Sequence, residues 1–414
     1  MKKIRIFFVL FCFLFTVESI QAQKSKVRLF SKVDIEPQYE LPDGKKIALM
    51  GYTERLRDSL TIPGPILTFW EGDSVTLILH NYSQGAPHTI HLHGLDVDQA
   101  NDGVPELSFS VAHGEQGQYK FVPKHPGLYL YHCHVVSPIH VQAGMYGLII
   151  VRDGWRNVYG NEIYNSFYVM TSEIDTNWHT KELIQHAYDT NQTEISIPDY
   201  HPQYFLINCA SDGPYIMSFK PCKNRMLVER YPDPDMYNLL GLANIGNCGN
   251  RFIFPERVLA QVVRTDGRPI PEGYDTVTDL EVMPGERYGV LLSDLGYRND
   301  VDSVLVEYFD LNNGKVLGVQ NIPIRYRAYS IDEKKALKYV RIFPNPSSNI
   351  FEIELSPPLV GQIDKMILVS LDGKKLRSYE SFQERVDLSG LPNGVYTLQL
   401  YFNQAIIAHK LIKK

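Results

Sequence analysis

Apolar positions along this chain follow two regimes. At the N-terminus Lys2, Lys3 and Arg5 precede an apolar run from Ile6 to Val17, followed by Ser19-Ile20-Gln21-Ala22-Gln23. A basic head, a short apolar core and a small residue for cleavage predict a signal peptide over residues 1–22. No apolar run reaches the ~20 residues a spanning helix requires, so the sequence predicts export rather than anchorage. Further along, period-two or wholly apolar runs dominate: Ser74-Val75-Thr76-Leu77-Ile78-Leu79, Gln118-Tyr119-Lys120-Phe121, Gly127-Leu128-Tyr129-Leu130-Tyr131, Phe351-Glu352-Ile353-Glu354-Leu355 and Val395-Tyr396-Thr397-Leu398-Gln399-Leu400. Pro, Gly and the Asp372-Gly373 and Asn393-Gly394 turn signals bound them, which predicts antiparallel β-sandwiches and an all-β chain. A Lys-rich stretch (Lys334, Lys335, Lys338) predicts a linker over 331–340, with a small β-sandwich of its own after it.

Composition narrows the class. With 414 residues and ~150 per domain, about three domains are expected. The 26 Tyr, 29 Gly and 25 Pro favour strands and turns. A balance of 41 basic against 47 acidic residues, net -6, excludes a global field that would draw the protein to nucleic acid or an anionic membrane. Five cysteines are too few for a disulfide scaffold. Cys12 leaves with the signal, and among Cys209, Cys222 and Cys248 one disulfide is expected, its pairing left open.

The chemistry concentrates in one segment. Of 13 histidines, eight (His88, His91, His93, His113, His125, His132, His134 and His140) fall between residues 88 and 140. Side chains alternate along a strand, so in His132-Cys133-His134 both imidazoles point one way and the thiol the other. In "HTIHLHG" the same parity groups His91 with His93 and sets His88 apart. Two sets result: His88 with Cys133, and His91 and His93 with His132 and His134. His140 follows Cys133 by seven residues and Met145 by twelve. Two imidazoles, a thiolate and a weak axial thioether are the ligands of a blue copper site. A structural zinc site would use neither a trailing Met nor ligands on both faces of a strand. His80, His179, His186, His201 and His409 read as core residues, and His113 and His125 as surface loop residues.

Residues 50–151 resemble the N-terminal domain of multicopper oxidases through "IPGPILTFWEGDSVTLILHN", "HTIHLHG", "NDGVPE", "PGLYLYHCH" and "GMYGLIIV". The resemblance implies type 1 copper on His88, Cys133, His140 and Met145. It also implies a trinuclear cluster, with His91 on type 2 copper and His93, His132 and His134 on the type 3 pair, and Asp102 assisting proton delivery. Residues 156–325 resemble the family's second cupredoxin domain through "HPQYFLIN", "LLGLANIGN", "VVRTDGRPI" and "VMPGERYGVLL". No His-x-His occurs there, so that domain reads as structural. "RIFPNPSSNIFEIEL", "LDGKKL", "VDLSGLPNGVYTLQL" and "KLIKK" resemble a type IX secretion sorting domain over 341–414, which implies passage through the periplasm to the outside or the cell surface. The expected order is signal peptide 1–22, copper-bearing cupredoxin 23–155, bare cupredoxin 156–330, linker 331–340 and sorting domain 341–414. Both cupredoxins are expected as Greek-key sandwiches.

The implied activity is one-electron oxidation of a phenol or metal-ion donor at type 1 copper, near a partly exposed His140. Dioxygen reduction at the cluster follows, through Cys133 and its covalent neighbours His132 and His134. Nine Met argue against cuprous ion as donor. Against the family's pattern, four of eight cluster histidines are missing and the type 1 ligands lie in the first domain. The Cys133-to-His140 gap is also two residues longer, so "VVSPI" is expected to reshape the substrate edge. A homo-oligomer in which two first domains meet about a two-fold axis would supply the missing ligands. Two alternatives compete: a copper nitrite reductase with type 2 copper on His93 and His132, and a non-enzymatic blue copper carrier.

Overall fold

The structure is a computed structural model describing residues 24–152, 157–158, 161–189, 196–211, 220–221, 226–230, 236–270, 276–294, 301–328, 340–355, 363–371, 373–402 and 405–414. The expected signal peptide, nearly all of the expected linker, and Cys222 lie outside them. The first sandwich pairs two four-stranded sheets. One is ordered β2 (Lys46–Thr53), β1 (Lys24–Glu40), β4 (Ser74–Asn81), β6 (Gln116–Phe121). The other is ordered β3 (Leu67–Trp70), β8 (Tyr146–Arg152), β7 (Gly127–His132), β5 (His91–His93). Two ladders, β1 with β4 and β3 with β8, are parallel, and the rest are antiparallel.

Burial follows the alternation. In β6, Gly117, Tyr119 and Phe121 point inward while Gln116, Gln118 and Lys120 face water. Leu29, Tyr52, Leu77, Phe69, Tyr131 and Ile149 meet between the sheets, with Cys133 and Met145 in the same core. β7 and β8 are apolar on both faces because the second sandwich covers their outer side. There Leu128, Leu130 and Leu148 pack against Tyr168, Met170 and Ala243.

The second sandwich sets a nine-stranded sheet, centred on 161–174, 236–244 and 287–294, over a five-stranded sheet centred on 301–309. Phe252, Val290, Val306 and Ile322 fill its core. Cys248 is a free, buried thiol there. A third core, around Phe351, Met366, Leu398 and Leu411, lies between sheets of three and four strands. The Lys413 Nζ donates into that core to the Leu388 and Leu391 carbonyls.

Two histidines differ from the core assignment. In "KELIQHAY" the helical period turns Leu183, Ile184 and Ala187 inward and leaves His186 exposed. His201 is exposed on a loop held by its backbone N–H to Asp175 Oδ2. His80 is half-buried and stacked on Phe30, His409 is half-buried, and His179 is buried with Nδ1 against the Ala48 carbonyl at 2.9 Å. His113 is exposed, and His125 pairs at the surface with Asp96.

Candidate metal centre

β7 ends in the histidine–cysteine sequence and β5 runs antiparallel beside it, pairing His91 with His132 and His93 with Leu130. Alternation then sends the two faces apart. Cys133 enters the core of the first sandwich, fully buried, while His91, His93 and His132 gather on the opposite face.

On the inner face the Cys133 Sγ lies 3.7 Å from His88 Nδ1 and 3.3 Å from His140 Nδ1. Tetrahedral ligation at ~2.3 Å to sulfur and ~2.0 Å to nitrogen places those atoms about 3.5 Å apart, so the spacing suits one ion between them. Met145 is brought in by the backbone: its carbonyl accepts from the Cys133 N–H at 3.0 Å, and its N–H donates to the His140 carbonyl at 2.9 Å. The longer Cys133–His140 gap is taken up by a short helix, α1 (Ser137–Gln142), which carries His140 inward. Val136 enters it at φ 43°, a left-handed conformation that is costly for a β-branched residue.

His140 is not partly exposed. It is fully buried, because a second helix, α2 (Lys181–Tyr188), lays Leu183, Ile184 and Ala187 over the core that holds Cys133 and Met145. Its Nε2 faces the Ala187 carbonyl at 3.1 Å. A carbonyl only accepts, so that nitrogen carries the proton and Nδ1 is left with its lone pair toward sulfur.

The outer face repeats this device. His91 Nδ1 donates to the Asp102 carbonyl at 2.8 Å, with the Asp102 carboxylate at 3.6 Å, and His132 Nδ1 donates to the Cys133 carbonyl at 3.0 Å. The Nε2 lone pairs of both rings are thereby freed. His93 Nδ1 and His132 Nε2 face each other at 3.4 Å, close to the ~3.3 Å edge of a tetrahedron with ~2.0 Å bonds. His134 stands at the margin, its ring 5.3 Å from that of His91. His91, His93 and His134 are half-buried, so this face stays partly open.

Burial holds His88, His93, His132 and His140 in the neutral form a metal requires of imidazole. It depresses His88 well below the usual histidine range, His93 and His140 to about 4 and His132 to about 3. Burial pushes the Cys133 thiol up, against hydrogen bonds from Thr89, and a bound cation would favour the thiolate. The His88 Nε2 is buried without a partner.

Two neighbours escaped the sequence reading. Gly285, on a turn of the second sandwich at φ +86°, backs His93 so closely that a Cβ would lie 3.1 Å from its Cε1. Arg287, 4% exposed, donates through Nη1 to the Gly285 carbonyl at 2.6 Å and pairs with Asp266 at 3.0 Å. After burial, its charge is the largest influence lowering His93. Both belong to "VMPGERYGVLL", where no local pattern signals contact with a residue almost 200 positions earlier.

Residues 58–155 match the family described as multicopper oxidase, and residues 341–414 match the secretion system C-terminal sorting domain. Copper resistance protein A of Escherichia coli is 35% identical over 117 residues, covering 28% of this chain and 19% of that protein. The copper-containing nitrite reductase of Neisseria meningitidis serogroup A is 34% identical over 93 residues, 22% of this chain and 23% of that one. The chain thus spans about a fifth of the length of these relatives. Among solved structures, the blue copper oxidase of Nitrosomonas europaea superposes with a TM-score of 0.53 at 20% identity, covering 74% of this chain and 86% of that one, and so shares the fold. Residues 58–155 therefore belong to the multicopper oxidase family, and the chain joins that cupredoxin unit to a type IX secretion sorting domain that directs it to the outside or the cell surface.

Proposed function

We propose that this chain is an exported copper oxidase in which His88, Cys133, His140 and Met145 hold a type 1 copper, and His91, His93, His132 and His134 contribute half of a dioxygen-reducing cluster. The observation that carries the reading is the adjacency of the two groups. One tripeptide, His132-Cys133-His134, feeds both faces of the same strand end, so a short covalent path links them. Bound copper would supply one-electron acceptance at the first group and dioxygen reduction at the second. The protein's part is orientation and exclusion. The Ala187 and Cys133 carbonyls fix the His140 and His132 tautomers, and Asp102 orients His91 beside the half-open face, where it can pass protons. α2 keeps water from His140, so a phenol or metal-ion donor acts from the outer side of that helix and not on the imidazole edge.

The half-open face also supports completion of the cluster by a second copy of the chain about a two-fold axis. A nitrite reductase reading draws on one observation: His93 Nδ1 and His132 Nε2 face each other at 3.4 Å, whereas the His134 ring lies 6.1 Å from that of His132. Oxygen uptake with a phenol or Fe(II) donor, set against nitrite reduction under argon, separates the two. Oxygen consumption that is abolished in His91→Ala, with the blue band retained, supports the oxidase. Nitrite reduction that survives His91→Ala overturns it.

A further inference from the structure

One buried side chain touches both histidine sets without being a ligand of either. Thr89 follows His88 directly and is fully buried in the first sandwich. The backbone on each side of it is held by other groups: the His88 N–H and carbonyl pair with Val111 at 3.0 and 2.9 Å, and the Ile90 N–H donates to the Tyr119 hydroxyl at 3.0 Å. The Thr89 carbonyl accepts from the Tyr52 hydroxyl, which fixes its peptide as well. On the side chain, Thr89 Oγ1 accepts from the His134 N–H at 2.9 Å. A hydroxyl that accepts still has one proton to give. Here both that proton and the Thr89 N–H go to the Cys133 sulfur, where they offset part of the burial that pushes the thiol up. The Val135 backbone and the Tyr52 hydroxyl reach the same sulfur, and of these three residues Thr89 alone brings two groups. Such donors count for most at an atom fully out of water, as Cys133 is.

We infer that Thr89 is a positioning residue for electron transfer: its hydroxyl, aimed by the His134 N–H, draws charge off the Cys133 sulfur and so sets the reduction potential of the ion that His88, Cys133, His140 and Met145 would hold. The inference rests on the type 1 reading proposed above. Hydrogen bonding around the cysteine sulfur tunes the potential of a copper site with two imidazoles and one thiolate. A donor to sulfur weakens the electron density that the thiolate gives to the oxidised ion more than to the reduced one, so it raises the potential. The residue is not a ligand, and it acts only through the sulfur.

Redox titration of the copper-loaded protein under argon, read by the blue absorption band, tests this in Thr89→Val, Thr89→Ser and Thr89→Ala. Val keeps the volume of Thr and removes the hydroxyl, whereas Ser keeps the hydroxyl and removes a methyl, so the pair separates hydrogen bonding from packing. Thr89→Val is expected to move the balance between the two copper states at least tenfold toward the oxidised one, a potential ~59 mV lower for one electron, and to shift the band to longer wavelength. Thr89→Ser is expected to stay within twofold of the unaltered protein despite its lost packing. Thr89→Ala should repeat the Val result, and it keeps the test open should Thr89→Val fail to fold. An unchanged potential and band in folded Thr89→Val or Thr89→Ala, or a shift in Thr89→Ser as large as theirs, would overturn the inference. Absence of a blue band from the unaltered protein would instead refute the type 1 reading itself, and the inference with it.

Discussion

Gly285→Ala isolates the role of the second cupredoxin at the histidine cluster. Gly285 has φ +86°, and its new methyl would lie 3.1 Å from His93 Cε1. Gly44 has the same φ of +86° with nothing within 4 Å of its Cβ position, so Gly44→Ala carries the backbone cost alone. Placing an L-residue in this region costs about 1–2 kcal/mol, and both variants should lose that much stability. Only Gly285→Ala must also move His93 by a few tenths of an ångström, against a His93–His132 spacing of 3.4 Å suited to a shared ion. Copper affinity responds strongly to such shifts, with losses of about 10–100-fold when a supporting contact is disturbed. The assay is metal counting under a competing chelator, alongside the blue absorption band and urea unfolding. The expected pattern is equal destabilisation of both variants and an intact blue band in both, with cluster copper lost only from Gly285→Ala. Cluster copper retained equally by the two variants would refute the view that this turn seats His93.

Further outcomes follow from the same geometry. Cys133→Ser should abolish the blue band and leave the protein folded at a cost of roughly 1–3 kcal/mol, since a hydroxyl replaces a fully buried thiol; a surviving band would refute the type 1 assignment. His179 is buried and held down to about 4, below its unfolded value of ~6.5, so the stability it contributes is complete above pH ~6.5 and is lost as pH falls toward 4. Denaturation curves should show a loss of roughly 2–3 kcal/mol across that window that is absent in His179→Gln. Deletion of residues 341–414 should leave the cupredoxins folded but held in the periplasm, because the third core is self-contained; fractionation with immunoblotting reads this, and continued export would contradict it.

Much of the fold and of the metal centre was legible in the sequence because strand parity is a local property. The alternation in "HTIHLHG" and "YHCH" separated the Cys133 set from the His91 set, and the β5–β7 register pairs His91 with His132 accordingly. Parity says nothing about what lies over a strand end. The burial of His140 depends on α2, more than 40 residues onward, folding back so that Ala187 meets its Nε2. His186 and His201 were misread because composition gives a residue's tendency to be buried, whereas helix phase and loop position decide its exposure. The approach of Gly285 to His93 and the charge of Arg287 near it come from docking one sandwich on another, and no pattern within "VMPGERYGVLL" specifies that register.

The central claim, that one strand end serves a blue copper site and half of a cluster shared between chains, is tested most directly by one measurement: copper per chain in the protein separated by assembly mass, with electron paramagnetic resonance on the same fraction. The account predicts a species of twice the chain mass holding more than one copper per chain, with both a type 1 and a type 2 signal. A strict monomer that reduces dioxygen to water, or any assembly holding a single type 1 copper per chain, would contradict it.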